Sequence, residues 1–73
     1  MTDMNSEQTE KDYWITIEEF LKNSIYGWYW IYYCNVGVEM AYYDNGNFYF
    51  NETDRSPEYT YNLSEISHVM KIS

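Results

Sequence analysis

The spacing of hydrophobic and polar positions divides the chain into three parts. Residues 1–12 are polar and charged without periodic apolar positions, residues 14–24 repeat apolar residues at helical spacing, and residues 28–72 contain short strand-like runs. A segment without periodic apolar positions has no face to bury against a core. The pattern therefore predicts a disordered acidic arm at 1–12 and one small domain at 13–73.

The helical segment carries its own start signal. Ile17, Phe20 and Leu21 fall on one helical face. Thr16 and Glu19 have the S/T-x-x-E spacing of a capping box, in which each side chain satisfies a backbone donor of the other residue. We expect a short helix of about two turns that begins after Thr16.

The strand-like runs are rich in aromatic and β-branched residues, which favour a pleated, half-buried surface. They lie at 28–33, 36–43, 48–50, 59–61 and 66–72. The tetrapeptide at 44–47, Asp-Asn-Gly-Asn, separates two of them and tolerates the positive φ angles of a tight hairpin turn. Together the runs predict an α+β fold, in which a short N-terminal helix packs on a twisted antiparallel β-sheet of about four or five strands.

Alternation within the runs assigns side chains to two faces of the sheet. In 36–43 the even-numbered residues share one face and the odd-numbered residues the other, with one face in the core and one in water. In 66–72, His68 belongs to the alternating apolar set that contains Ile66 and Met70, so we expect a packed core histidine. Cys34 ends an aromatic run, and we expect it to be a small buried hydrophobe.

The negative net charge of the chain disfavours some classes of binding partner. The 73 residues include 12 Asp and Glu but only 4 Lys and Arg, which gives a net charge of −8. Direct binding to nucleic acid or to an anionic membrane is unfavourable for such a chain, because cations must neutralise the phosphates. The longest apolar run, 27–34, is too short to span a bilayer, and residues 1–12 do not have the pattern of a signal peptide. We therefore expect a protein of the cytoplasm.

Candidate chemistry in the sequence is sparse. His68 is the one histidine and Cys34 the one cysteine, and no catalytic signature surrounds either residue. The residues after the 44–47 turn lack the alternating ligands of a calcium loop. We expect no enzyme activity, no metal and no cofactor. The alternative for catalysis is an acid/base enzyme that uses His68 with a carboxylate, and it requires a pocket beside that histidine.

Three short motifs are spaced along the domain: WITIE at 14–18, VEMAYYD at 38–44 with FY at 48–49, and ISHVM at 66–70. They resemble a family of small phage and prophage proteins catalogued as domain of unknown function 551. That family opens with a Trp-Ile-Ser/Thr-Val-like motif, has a central hairpin with aromatic-rich strands, and closes on a Thr-His-Trp-Met-Pro-like motif. A Leu-Pro turn that usually follows the opening motif is replaced by FLKN at 20–23, and the closing tryptophan and prolines by Val69, Lys71 and Ile72. The resemblance implies a divergent member of phage or prophage origin with an α+β fold, and it implies no activity.

The aromatic content predicts a contact surface. Aromatic residues make up 22% of the chain, and one helix covers one sheet face, so we expect exposed Trp and Tyr, the residue types that dominate protein interfaces. With the resemblance, this predicts a phage-encoded, non-enzymatic inhibitor or modulator in the cytoplasm of the bacterial host. It would bind a host nucleic-acid-handling protein (a nuclease, a restriction or CRISPR effector, or a repair enzyme) through an acidic, aromatic-rich, DNA-mimicking surface. The predicted contact residues are Trp28, Trp30, Tyr32, Glu39, Tyr43, Asp44, Glu52, Asp54 and Glu58. The alternative is a small structural or assembly domain, as a homodimer, whose acidity serves only solubility.

Overall fold

One short helix packs on a five-stranded antiparallel sheet in the computed structural model, which describes residues 13–72. The elements are β1 (Ile15–Thr16), α1 (Ile17–Lys22), β2 (Gly27–Tyr33), β3 (Gly37–Asp44), β4 (Asn47–Tyr49) and β5 (Ile66–Lys71). Their order across the sheet is β1-β5-β2-β3-β4, and every pair is antiparallel. This confirms the predicted α+β fold. The predicted arm at 1–12 lies outside the described residues.

Helix α1 begins where the capping signal predicts. The Glu19 N–H donates to Thr16 Oγ1 over 3.1 Å, and this bond satisfies one of the backbone donors that a helix start leaves unpaired. The helix ends at Lys22, and the N–H of its C-cap residue, Asn23, donates to the Phe20 carbonyl. Ile17 and Phe20 are buried, so α1 is held by one narrow apolar stripe on the sheet.

The core lies between α1 and one face of the sheet. The Phe20 ring meets Tyr29 at 4.8 Å and Tyr43 at 4.9 Å between ring centroids, both edge to face. Such pairs stabilise a fold beyond the area that they bury, by about 0.5–1.5 kcal/mol each. The buried residues are Ile17, Phe20, Tyr29, Ile31, Ala41, Tyr43, Phe48, Ile66 and Val69.

Strand β3 shows which face the helix covers. Ala41 and Tyr43 are buried beneath α1, whereas Val38 and Met40 are 52% and 49% exposed on the opposite face. Alternation alone sorts these residues into two sets but does not say which set is covered. The choice depends on Phe20, because its ring packs against Tyr43.

A β-bulge on β5 changes the face of each residue that follows it. Tyr32 pairs with His68 but Tyr33 pairs with Ile66, so Ser67 is the extra residue. Ile66 and Val69 are consequently both buried, and His68 is exposed. The prediction of a packed core histidine was wrong, because strict alternation does not continue through a bulge.

The turns confirm one local prediction and correct two others. Asn45 and Gly46 have φ angles of 49° and 93°, as in a two-residue hairpin turn with left-handed residues. β2 ends at Tyr33, so Cys34 lies in the following turn and is exposed, not a buried hydrophobe. The run at 59–61 forms a single bridge, between Tyr49 and Thr60, instead of an edge strand.

Candidate protein-interaction surface

The sheet face opposite α1 is lined by aromatic and long apolar side chains. Strand pairing places Trp28 beside Tyr42, Trp30 beside Met40, and Tyr32 beside Val38, and paired residues project from the same face. We call this surface the open face. It comprises Trp28, Trp30, Tyr32, Val38, Met40, Tyr42, Tyr49, His68 and Met70. The helix of the described part of the chain, α1, covers the other face and leaves these rings at the surface.

The rings of the open face support one another. Trp28 packs edge-on against Tyr42 with ring centroids 5.3 Å apart, and both side chains are half-buried. At the β1 edge of the sheet, Trp14 packs edge-on against Tyr32, with ring centroids 6.2 Å apart. Because their neighbours restrict the rotamers, these rings lose less conformational freedom when a partner binds. The open face is therefore a preorganised aromatic surface.

An arginine closes the open face at its β4 edge. The Arg55 guanidinium lies 4.5 Å from the centroid of the Tyr49 ring and 5.7 Å from that of Tyr42. Its Nη1 donates to Asp44 Oδ2 at 3.2 Å, and its Nε donates to the Glu52 carbonyl at 3.1 Å. These contacts fix the loop between β4 and residue 57 against the edge of the open face.

Two of the predicted contact residues lie away from the open face. Tyr43 is 5% exposed in the core, and its hydroxyl is 2.7 Å from Ser24 Oγ. Glu39 lies on the helix side of the sheet, where its Oε1 accepts a long hydrogen bond of 3.4 Å from the Tyr61 hydroxyl. Burial, together with the negative charge of Glu39, raises the pKa of Tyr61. Burial corrects the assignment of Tyr43 as a contact residue. Glu39 is half-buried, and its role as a contact stays a prediction.

Of the acidic residues predicted to bind a partner, Asp44 lies at the β4 edge of the open face. Asp44 pairs with Arg55 as described. Glu52 is exposed in the loop that carries this arginine, and Glu58 is exposed in the short 3-10 helix that follows it, Pro57–Tyr59. Asp54 Oδ1 accepts from the Ser56 N–H at 3.0 Å and from the Ser56 hydroxyl at 2.7 Å, and these hydrogen bonds lower the pKa of Asp54. Asp54 thus shapes its own turn.

Sequence reasoning missed several members of the surface. Alternation places Val38 and Met40 in one set, and pairing places that set beside Tyr32 and Trp30. The exposure of Val38 and Met40 shows that this set faces outward. Trp14 precedes β1 and carries no strand pattern that would have placed it beside Tyr32.

The described part of the chain has several hollows beside the sheet. One, of about 700 Å³, is a wide depression lined by Ser24, Ile25, Tyr26, Tyr43, Asp44, Asn45 and Gly46. Another, of about 300 Å³, is lined by Asn47, Tyr49, Arg55, Pro57 and Thr60. A third, of about 250 Å³, is lined by Trp14, Tyr32 and His68. A pocket therefore does adjoin the histidine, but its described lining includes no carboxylate with which His68 would form an acid/base pair.

Within residues 13–72, no group of three or more His, Cys, Asp or Glu side chains is placed to hold a metal ion. None of the helices in that range combines the length and the apolar character that crossing a membrane requires.

Comparisons with protein-family models, with curated proteins and with solved structures find no match for the chain. The resemblance of 14–72 to the phage family therefore stays a prediction. The observations that bear on function are the geometry of the open face and the negative charge of the domain.

Proposed function

We propose that this protein is a phage-encoded, non-enzymatic inhibitor or modulator that binds a host nucleic-acid-handling protein through the open face. The observation that carries the proposal is the uncovered aromatic surface. Trp30 lies at its centre, between Met40 and Met70, and Tyr32, Val38 and Met40 are each about half exposed beside it. Trp, Tyr and Met are enriched at protein interfaces, where a few large rings provide most of the binding energy.

Charge supports a basic partner. Residues 13–72 contain eight Asp and Glu against three Lys and Arg, so the domain itself is acidic. A negative domain is attracted to a cationic surface and accelerates its encounter with it, and proteins that grip phosphates present such surfaces. The same charge opposes association of two copies of this chain.

The arrangement of the acids favours steering over close imitation of DNA. Asp44 is neutralised by Arg55, Asp54 is engaged with Ser56, and Glu39 is on the helix side of the sheet. A decoy that reproduces phosphates needs unpaired carboxylates along one face. In the proposed mechanism the acidic charge accelerates encounter, and the rings of the open face determine how long the complex lasts.

The bacterial setting follows from the resemblance to phage proteins. A modulator of a host nuclease, restriction or CRISPR effector, or repair enzyme would act in the cytoplasm of the host, where these enzymes meet nucleic acid. Binding requires no catalytic group on this chain.

Capture experiments with matched variants test the proposal. Immobilised wild-type protein, Trp30→Ala and Leu21→Ala are exposed to nuclease-treated bacterial lysate at low and moderate salt. Leu21 is 39% exposed on α1, on the opposite side of the sheet, so its variant controls for surface hydrophobicity. We expect a basic, nucleic-acid-binding protein to be retained by wild type and Leu21→Ala but lost from Trp30→Ala. Retention that does not depend on Trp30, or partners that do not handle nucleic acid, would contradict the proposal.

A second candidate function is self-association as an assembly domain. β4 pairs with residues 42–44 of β3, so within the described chain residues 37–41 of β3 present an outer edge without a paired strand. Exposed edges and apolar faces both promote association between copies. Sedimentation equilibrium over a range of concentrations distinguishes the two: a dimer lost in Trp30→Ala, without a lysate partner, favours assembly.

A further inference from the structure

The recess at the β1 edge of the open face is formed by three ring systems. Trp14 and Tyr32 stand nearly perpendicular, at 77°, and His68 is the third lining residue. Thr16 pairs with His68 across β1 and β5, which brings the segment that carries Trp14 beside the histidine. The recess measures about 250 Å³, which is large enough for the end of one long side chain.

The bulge at Ser67 determines what His68 offers to this recess. The Ser67 hydroxyl donates to the Tyr32 carbonyl in a long hydrogen bond of 3.5 Å, and the same oxygen lies 3.0 Å from His68 Nδ1. The Ser67 hydroxyl therefore occupies the Nδ1 side of the imidazole. When the ring carries its proton on Nδ1, Nε2 accepts a hydrogen bond. The recess thus combines two electron-rich ring systems with an imidazole whose Nε2 edge is not the one that Ser67 contacts.

This combination is suited to a cationic hydrogen-bond donor. Faces of Trp and Tyr attract cations through the ring quadrupole, most often the guanidinium of arginine. A guanidinium also stacks flat on a ring and has N–H groups in its plane that reach an acceptor. An aliphatic side chain would fill the same volume without the attraction between a cation and the ring faces.

We propose that the recess of Trp14, Tyr32 and His68 binds the guanidinium of an arginine side chain presented by the protein partner. The proposal rests on the proposed function, since a protein that grips nucleic acid exposes arginine and the net charge of −8 attracts it. The partner is thereby held at two places. The arginine enters the recess, and apolar residues cover Trp28 and Trp30.

A titration with short peptides tests the recess without any partner. Blocked Gly-Arg-Gly is added to isotopically labelled protein, and NMR follows the indole N–H signals of the three tryptophans and the His68 imidazole. The comparison peptides carry citrulline, which is nearly isosteric with arginine but neutral, and lysine. We expect the arginine peptide to shift the Trp14 and His68 signals saturably, at least about threefold tighter than citrulline and tighter than lysine. Signals of Trp28 and Trp30 should move little.

Variants separate the two parts of the recess. Trp14→Leu should abolish the preference for arginine over citrulline. His68→Phe, which keeps a ring but lacks Nε2, should reduce that preference, and Trp28→Leu should keep it. Because Trp14 is 37% exposed and His68 is exposed, both variants should fold.

Three results would overturn the recess proposal: equal affinity for arginine and citrulline, tighter binding of lysine, or unchanged preference in Trp14→Leu. If capture from lysate still depends on Trp30 in that event, the proposed function stands and the recess alone is rejected. If the recess prefers arginine but no Trp30-dependent partner exists, the proposed function is rejected instead.

Discussion

Arg55 lies between Asp44 and the ring of Tyr49, 3.2 Å from the carboxylate and 4.5 Å from the ring centroid. This arrangement ties the loop after β4 to the edge of the open face. An exposed ion pair contributes little to stability by itself. The planar guanidinium also stacks on the Tyr49 ring, which the compact ammonium group of a lysine does not do.

We predict that Arg55→Ala loosens this loop without unfolding the domain. Limited proteolysis should cut within 51–56 faster in Arg55→Ala than in wild type, and Arg55→Lys should lie between them. Leu21→Ala, on the other side of the sheet, is the control and should be cut like wild type. Equal rates for all four proteins would mean that the arginine does not hold the loop.

Phe20 should be a principal determinant of stability. Its ring is fully buried and meets Tyr29, Tyr43 and Phe48. Phe20→Ala should lower the free energy of unfolding by about 3–5 kcal/mol, because the ring contacts are lost and a cavity remains. For so small a domain this approaches the whole stability. Urea denaturation followed by circular dichroism measures the loss.

The neighbouring residue on the helix provides the contrast. Leu21 is 39% exposed, so Leu21→Ala should cost less than about 1 kcal/mol. Similar losses for the two variants would show that α1 is not docked through Phe20.

The hairpin turn makes a backbone prediction. Gly46 has a φ of 93°, a conformation that other residues adopt at a cost, and there is open space where a Cβ would lie. Gly46→Ala should therefore destabilise the domain through backbone strain alone, by about 1 kcal/mol. The loss is measured by thermal unfolding of Gly46→Ala, with Asn47→Ala, a substitution next to the turn, as the comparison. No difference between the two variants would contradict the assigned turn.

Local signals in the sequence account for what could be predicted. The Thr16 cap and the Asn45–Gly46 turn depend on a few adjacent residues, and the structure has both. The position of His68 depends on Ser67 being inserted opposite Tyr32 and Tyr33, a long-range pairing that leaves no mark in the spacing of 66–72. For the same reason the aromatic content predicted exposed rings, but only strand pairing shows that Trp30 and Met40 share a face.

Ionisation of Tyr61 should lower the free energy of unfolding of the domain at alkaline pH. Burial and the charge of Glu39 raise the pKa of Tyr61, so the folded state holds this phenolic proton more tightly than the unfolded chain. The contribution is complete below the ordinary tyrosine pKa and is lost as the pH rises through the raised value. Urea denaturation between about pH 9 and pH 11 should show a steeper loss of stability in wild type than in Tyr61→Phe. Parallel curves would contradict the coupling.

The dissociation constant of the captured partner tests the central claim most directly. It is measured for wild type, Trp30→Ala and Leu21→Ala by calorimetry at one salt concentration, after each variant is shown to fold by circular dichroism. If the open face is the binding surface, Trp30→Ala should weaken binding by about 30-fold or more, as truncation of a central aromatic anchor does, and Leu21→Ala should bind like wild type. Equal constants for Trp30→Ala and wild type, or a loss confined to Leu21→Ala, would contradict the assignment of this face.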